Sequence, residues 1–567
     1  MVIPVGLTDC ASCSALLLSG AKWDQIYVLF GWGLLSSALI AATPIFVLLG
    51  LLGVLQRPAW VAGLSGLAVT ILVATCAYHM PLVPALSAAA NGGAFGLFPI
   101  SWIVFWAIAL YRVTVDSGKF EIIRHSLGRL TTDPYLQILL IGFAFGAFIE
   151  GAAGFGTPVA IAAAMLAGLG FSAFRASGAC LLANTSPVAF GSIGIPVVTL
   201  AGITNLPVDR LSAMTGRLCA PMSLIIPSYL VLAIGGWSAL RSVWKTALAV
   251  GAIFATTQFL ISNYAGPQLA DILASIAAIL AMVVMLRLRP STHRSGEEDG
   301  GGAEGSAANS AEPTHKETAG AIFLAWLPYG FLVLCVLVWG MHPVQRWFGH
   351  LGFTFPWPLL DGTVRRVPPV ISAPTPYPAI FNVNWLSASG TSCMVATLLS
   401  AVSVRMSPLQ FLRLLVDVAR QLILPTVTVT SVLAMAFLMN YCGATATLGL
   451  AFASTMALFP FFSALLGWLG VFLTGSDTSS NALFGNLQVV TANRLGLDPF
   501  LMAAVNSVGG VMGKMISLQT IAVAAAATGM PVAEQARLFR FTFKHSVILA
   551  ALVGLMAMLY AYAGVHV

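Results

Sequence analysis

Residues 141–165 read IGFAFGAFIEGAAGFGTPVAIAAAM, and this stretch decides the fold class. Glu150 ends a long apolar run and is followed, within eight positions, by three glycines and a proline. Backbone that is not helical is tolerated at membrane depth only where it is buried in protein or lines a cavity. The stretch is therefore typical of a transport pathway. The alternative is a glycine-rich packing site that holds a protonated or interfacial glutamate.

A second stretch, GWLGVFLTGSDTSSNALFGNLQ at 467–488, has a similar arrangement. Residues 474–481 form a polar island around Asp477 between two apolar runs. Ser, Thr, Asp and Asn are the residues that cap helix N-termini. The island is typical of the tip of a re-entrant hairpin or of a helix break, and the alternative is a short external loop with a helix cap.

Each acid is followed by a second polar segment at a similar distance. Asn184-Thr185-Ser186-Pro187 begins 34 residues after Glu150, and Asn506-Ser507 begins 29 residues after Asp477. Glycines follow in both cases, so a helix break is predicted at each segment. Paired interrupted segments that meet near the membrane midplane are the pattern of a transporter with an internal repeat.

The composition agrees with a membrane protein. Of 567 residues, 58% are hydrophobic and 8% are charged, against about 25% charged residues in a typical soluble domain. These values exclude a soluble enzyme, a disordered chain and a nucleic-acid binder. The apolar runs are long and unbroken, which predicts an all-α polytopic membrane protein with 12–14 transmembrane helices. The first run, from Ile26, lacks a signal-peptide pattern, and we expect it to remain as a membrane span.

One segment differs from the rest. Residues 287–320, RLRPSTHRSGEEDGGGAEGSAANSAEPTHKETAG, are rich in Gly, Ser, Ala and charge. Such a composition predicts a disordered cytoplasmic linker. The linker would separate an N-terminal membrane half, 1–286, from a C-terminal half, 321–567.

Lysines and arginines predict the orientation, because short cytoplasmic loops carry an excess of them. One topology puts five basic clusters inside and both termini outside. It leaves Arg346, Arg365 and Arg366 outside, against the rule. The inside clusters are Arg112 to Arg129, Arg241 with Lys245, Arg287 to Arg294, Arg405 to Arg420 and Arg537 to Lys544.

Two further charges lie in apolar sequence. Lys514 is predicted to neutralise an acid or to bind an anionic substrate, and a structural salt bridge is the alternative. Asp271 follows Pro267 and is predicted to be a first-turn acid at the membrane interface. The N-termini of half-helices that face one cavity would suit a small carboxylate.

Other chemistry is weakly signalled. Cys10-Ala-Ser-Cys13 has metal-site spacing but no partner pair, so we predict no metal site and no cofactor. Motifs of hydrolases and metalloproteases are missing, so an enzyme is not expected. A membrane enzyme acting on a lipid or a small acid stays as an alternative hypothesis.

Seven stretches resemble the lactate permease family, the bacterial transporters of lactate and glycolate. The resemblance covers about residues 30 to 550. The stretches are FEIIRHSL at 120–127, GAFIEGAAGFGTPVAI at 146–161, LLANTSPVAFGSIGIP at 181–196, LSAMTGR at 211–217, WLSASGTS at 385–392, GWLGVFLTGSDTSSNALFG at 467–485 and GGVMGKMIS at 509–517.

The resemblance implies a proton-coupled symporter of small 2-hydroxymonocarboxylates in the bacterial cytoplasmic membrane, with inverted repeats and re-entrant hairpins. Two departures lie in the presumed site. Leu518-Gln519-Thr520 stands where the family usually has Pro-Gln-Ser, and Thr157 replaces the commoner Ala. They leave open whether lactate itself is the substrate.

The predicted mechanism is alternating access around a site formed by both halves. Glu150 or Asp477 carries the coupled proton, because burial favours the neutral form of a carboxyl. Sodium coupling to another organic anion is the alternative. Membrane lipid is the other expected partner, and the sequence leaves the oligomeric state open. The predicted substrate-binding residues are Gly154, Asn184, Thr185, Ser186, Ser476, Thr478, Asn506, Ser507 and Lys514.

Overall fold

The computed structural model describes residues 22–55, 57–154, 156–288, 318–371 and 373–563. Within them, eleven helices are long and apolar enough to cross a membrane, or up to twelve if one bent pair counts as a span. The all-α membrane fold is therefore confirmed. Most of the predicted linker and the pair Cys10 and Cys13 lie outside the described residues.

Four helices precede the first hairpin. The first is the predicted first span, and the third is interrupted by a non-helical Phe98. The fourth is short and carries basic residues of the first cluster. They are α1 (Leu34–Gly53), α2 (Ala59–Ala77), α3 (Leu82–Asp116) and α4 (Lys119–Gly128).

The first hairpin forms where the sequence predicts it. Its arms are α5 (Pro134–Ala152) and α6 (Thr157–Gly168). Two left-handed glycines of its tip, Gly154 and Gly156, have φ of +60° and +81°, which residues with a Cβ rarely adopt. Glu150 lies two residues from the end of the first arm.

A broken helix follows the first hairpin. Its parts are α7 (Ala173–Ala183) and α8 (Gly191–Thr204), which meet at 65°. The break starts at Asn184 as predicted and ends in a left-handed run at 192–194. Ser192 and Ile193 have positive φ there, which is unusual for residues with a side chain.

The next long helix is a helical hairpin rather than one span. α9 (Val208–Tyr264) has 57 residues and turns back at Gly236, which has φ 75°. Ser212 Oγ therefore donates to the Ser262 carbonyl across the hairpin at 2.8 Å. Counting its two arms separately brings the spans to twelve, or thirteen with the bent pair, which is within the predicted range. α10 (Ala270–Leu288) follows.

The second part of the chain repeats the order of hairpin and broken helix. The second hairpin has a tip at Gly475 and Ser476, and the second broken helix bends at 515–517. The helices are α11 (Ala319–Gly340), α12 (His342–Gly349), α13 (Ser389–Ser403), α14 (Pro408–Cys442), α15 (Ala444–Phe452), α16 (Phe459–Thr474), α17 (Asp477–Leu495), α18 (Pro499–Lys514), α19 (Leu518–Thr528) and α20 (Val532–Tyr562).

One predicted break is wrong. Asn506 and Ser507 lie inside the continuous helix α18, and the break comes about two turns later. The helix continues because the Asn506 side chain forms hydrogen bonds with Asn481 and Gln488 of the hairpin rather than with its own backbone.

The two hairpins enter from opposite faces, as an inverted repeat requires. Counted along the described helices, the chain crosses seven times between them: through the first broken helix, both arms of α9, α10, α11 and α14, and through α13, a 15-residue apolar helix that is shorter than the candidate spans counted above. An odd number of crossings reverses the direction of entry. The same crossings put the described residues of the five basic clusters at one face, called the basic face below.

Short strands cover the opposite face, called the outer face below. β1 (Trp23–Asp24) pairs with β3 (Val364–Arg366), and β3 pairs with β4 (Thr375–Pro376). β2 (Phe353–Pro356) pairs with β5 (Ile380–Val383). The start of the described chain is thereby fastened to the loop that joins α11 and α13.

Candidate functional site

The two repeats meet at one cavity of about 360 Å³. Both hairpin tips and both broken helices contribute to its wall. The wall also includes all three charges that the sequence singled out first, Glu150, Asp477 and Lys514. These side chains are at most 8% exposed, so the mostly apolar cavity holds three buried charged side chains in its wall.

Glu150 and Lys514 form a buried ion pair between the repeats. Lys514 Nζ donates to Glu150 Oε1 at 2.8 Å. Glu150 Oε2 has no hydrogen-bond partner in the described part of the chain. Neutralising an acid and forming a structural salt bridge, two of the roles considered for Lys514, are therefore the same contact, and binding of an anionic substrate stays a prediction.

Gly191 leaves the space that this glutamate occupies. A Cβ at Gly191 would lie 2.6 Å from Glu150 Oε1. The break in the first broken helix thus brings a backbone without a side chain against the carboxylate. Ser192, the next residue, lines the cavity and donates to the Ala153 carbonyl of the first tip at 3.1 Å.

Asp477 is held at the tip of the second hairpin. Its Oδ2 accepts from Ser507 Oγ at 2.5 Å and from Asn481 Nδ2 at 3.4 Å. Its Oδ1 has no partner among the described residues. Gly510 makes room for that oxygen, since a Cβ there would lie 2.7 Å away. One carboxylate oxygen is fixed by hydrogen bonds, and the other is buried against Gly510 without a partner among the described residues.

A series of hydrogen-bonded polar side chains holds Asn481, a partner of Asp477, in place. Asn506 Nδ2 donates to Asn481 Oδ1 at 2.9 Å, and Gln488 Nε2 donates to Asn506 Oδ1 at 3.1 Å. Asn481 Nδ2 also donates to the Pro196 carbonyl at 3.2 Å, which joins α17 to α8. Buried polar side chains that are bonded in this way fix one geometry.

The site is built from helix N-termini. The first turns of α17 and α19 and the residue that precedes α6 line the cavity. The free N–H groups at such ends carry a partial positive charge that favours an anion. Ser476 caps α17 by accepting from the Ser479 N–H, and α6 and α19 have no side-chain cap.

The predicted substrate ligands fall into two groups, those that line the cavity and those that do not. Ser476, Thr478 and Lys514 line the cavity. The others do not line it, and their role as ligands stays a prediction. This second group is Gly154, Asn184, Thr185, Ser186, Asn506 and Ser507.

Gly154 and Asn184 are nonetheless close to the site elements. A Cβ on Gly154 would collide with Ser192 Oγ, so its left-handed backbone lets the tip touch the broken helix. Neither the amide nitrogen nor the amide oxygen of Asn184 has a partner within the described residues, although the side chain is buried.

A third buried acid lies next to the first hairpin. Asp271 is in the first turn of α10 as predicted, but it is 1% exposed rather than set at the membrane interface. Its Oδ1 accepts from Gln258 Nε2 at 3.0 Å. A Cβ on Gly151 would lie 3.0 Å from Asp271 Cβ, which the spacing along the chain could not reveal.

The two family departures have different positions. Thr520 lines the cavity beside Gln519. Leu518 occupies the first position of α19, where proline is favoured, and the break forms without that proline. Thr157 starts α6 and donates to the Gly154 carbonyl at 2.7 Å, so it supports the tip without lining the cavity.

Comparisons with known proteins point in one direction. The family model described as L-lactate permease matches residues 37–564. Glycolate permease GlcA of Escherichia coli (strain K12) is 43% identical over 551 residues, covering 95% of this chain and 98% of that protein. An L-lactate permease of the same strain is 41% identical over 548 residues, with the same coverage.

Two further matches come from other organisms. An L-lactate permease of Bacillus subtilis (strain 168) is 41% identical over 554 residues, covering 94% of this chain and 97% of that protein. Among solved structures, Neisseria gonorrhoeae MtrF, described with a class of antimetabolite efflux pumps, is 13% identical with a TM-score of 0.40. It covers 83% of each chain, and this likeness carries no argument.

Proposed function

The chain belongs to the L-lactate permease family, and from this premise we propose that it carries small 2-hydroxymonocarboxylates together with a proton across the bacterial cytoplasmic membrane. L-lactate is the first candidate, and D-lactate and glycolate follow. Its relatives are named permeases, which are transporters and not enzymes.

The observation that carries the proposal is the ion pair in the shared cavity. The charges of Lys514 and Glu150 cancel in the ion pair. Asp477 adds no positive charge, so the cavity wall has no net positive charge. An anion entering this cavity would meet unfavourable electrostatics. A proton on Glu150 releases the ammonium, which then pairs with the substrate carboxylate.

This exchange couples the proton to the anion. The cavity gains one positive and one negative charge together, so the loaded carrier has the same net charge as the empty one. Reorientation of a loaded carrier without a net charge change avoids the cost of moving charge through the bilayer. The hydroxyls of Ser476 and Thr478, which line the cavity and are partly exposed, are available to the 2-hydroxyl group.

The cavity extends towards the basic face. Ala59 and Trp60, at the start of α2, extend its wall in that direction. On the other side α8 and α17 are closely packed, since a Cβ on Gly485 would collide with Leu200. Under alternating access, this seam parts when the site opens to the outer face.

The test is uptake of labelled L-lactate by proteoliposomes with an imposed proton gradient and no sodium. Accumulation that a protonophore abolishes supports symport with a proton. Accumulation that requires sodium would replace the proton by sodium. Conversion of the acid without any gradient would favour a membrane enzyme, and a competition panel of D-lactate, glycolate and longer acids orders the substrates.

A further inference from the structure

A second cavity, the outer vestibule, lies at the outer face. Its volume is about 720 Å³, and its wall combines the outer ends of α8, α14 and α17 with the loop that joins α11 and α13. Seven asparagines and one glutamine line it. Arg366 is the only formally charged side chain in that lining. The vestibule is thus an amide-rich chamber with a single positive charge.

Two adjacent arginines of β3 have different surroundings. Arg365 forms a bidentate ion pair with Asp24: Nε donates to Oδ1 at 2.6 Å, and Nη2 donates to Oδ2 at 2.9 Å. Arg366 lines the vestibule, as expected of the next residue on a strand, which points to the opposite side. Its guanidinium carbon lies 4.5 Å from the centre of the Tyr377 ring.

Arg366 keeps unused donor capacity. Its Nε is buried without a hydrogen-bond partner, and it makes no ion pair within the described residues. Arginine offers five donors and matches a carboxylate with two parallel hydrogen bonds. Arginines in this loop also contradict the positive-inside rule. The ion pair with Asp24 explains why an arginine stands at position 365, whereas no ion pair among the described residues explains the arginine at position 366.

We propose that the outer vestibule is a capture site, in which Arg366 draws the small carboxylate anion in before it reaches the central cavity. The identity of the anion rests on the proposed function. The site is separate from the Glu150–Lys514 pair and acts on substrate arriving from the outer face.

The vestibule and the central cavity are linked by one helix. Asn486 lines the vestibule and donates to Asn440 Oδ1 at 3.0 Å. It lies on α17, nine residues after Asp477. At about 1.5 Å per residue the two positions are about 14 Å apart along the helix. A captured anion is therefore bound next to the contact between α8 and α17.

The size of the effect follows from Coulomb's law. A unit charge about 7 Å from an anion in water raises its local concentration about threefold. Salt near 0.15 M, with a Debye length of about 8 Å, weakens this attraction. The capture site should therefore lower the KM from the outer face at low ionic strength and leave the maximal rate unchanged.

The first experiment compares Arg366→Gln with its matched control Arg365→Gln in right-side-out and inside-out vesicles. At low ionic strength, R366Q should raise the KM for lactate about threefold at the outer face only. R365Q should keep the wild-type KM. Arg366→Lys should retain most of the low KM, since it keeps the charge. Equal KM values for R366Q and wild type would overturn the proposal, as would an equal loss in R366K and R366Q.

A second experiment reads the vestibule without transport. Asn493→Cys places a thiol on the exposed wall, in a background without other cysteines. An anionic and a cationic methanethiosulfonate reagent should react with a rate ratio that falls by up to about ninefold when R366Q is added, because a unit charge about 7 Å from the thiol shifts each rate about threefold. An unchanged ratio refutes the capture site. A changed ratio without any lactate uptake by the wild type supports the capture site and refutes the proposed substrate.

Discussion

Replacing Glu150 by glutamine should separate anion binding from the proton. The variant keeps the shape of the side chain and removes its charge, which imitates the protonated carrier. At 2.8 Å and an effective dielectric constant of about 20, the pair has a Coulomb energy of roughly 6 kcal/mol. Breaking one partner of a buried pair typically costs about 3–5 kcal/mol. The unpaired Lys514 should therefore favour an ion pair with a substrate carboxylate.

The wild type and the variant should then differ in the pH dependence of binding. If one proton must be taken up with each anion, the apparent Kd of the wild type rises about tenfold for each pH unit over the range in which the free site is deprotonated. In E150Q the Kd should not change with pH. The variant should not accumulate lactate against its gradient, because it has no proton to release at this site.

The assay is lactate binding by purified protein in detergent, measured by calorimetry between pH 6 and 9. Stabilisation by lactate gives a second readout, since a ligand at 100 times its Kd adds about 2.7 kcal/mol. E150Q should unfold earlier than the wild type without lactate and recover with it. A double variant with Lys514→Met should restore the stability but not the binding. A Kd in E150Q with the same pH slope as the wild type would refute the assignment of the proton to Glu150 and point to Asp477.

Three further predictions concern neighbouring positions. Gly191→Ala should abolish uptake by displacing Glu150, whereas Gly93→Ala, which meets nothing within 4 Å, should leave uptake and Tm intact; normal uptake by G191A would contradict the tight fit. Asp271→Asn keeps the acceptor for Gln258 and should change the unfolding free energy by less than about 1 kcal/mol, measured by thermal unfolding, and a larger loss would show that the carboxylate charge is needed. Thr520→Ser removes one methyl group from the cavity wall and should shift the uptake ratio of lactate to glycolate towards lactate by at most about tenfold; a shift towards glycolate would show that the methyl group does not limit the pocket.

The hairpins and breaks were predictable because the local signals were strong. Glycines and a proline after Glu150, and the polar island around Asp477, indicate interrupted helices wherever the surroundings are apolar. The break at Asn184 followed for the same reason. Asn506 misled the prediction because an asparagine within a helix has the same local signature whether it bonds to its own backbone or to another helix.

The partners within the site were not predictable from spacing. Lys514 is 364 residues from Glu150, and Gly151 touches Asp271 across two helices. Which apolar faces meet depends on the packing of all the helices together. The different surroundings of Arg365 and Arg366 likewise depend on the pairing of β3 with strands from two distant segments.

The sequence by itself determined the membrane class, the family, the basic face and three of the four predicted helix breaks. These properties depend on hydropathy, on charge counts and on the conformational limits of glycine and proline, which act over a few residues. Only the tertiary structure decided that the two tips line one cavity, that Glu150 pairs with Lys514, and that Arg366 faces a second chamber without an ion-pair partner among the described residues. Contacts between residues far apart along the chain are selected by the packing of the whole bundle, which no local pattern records.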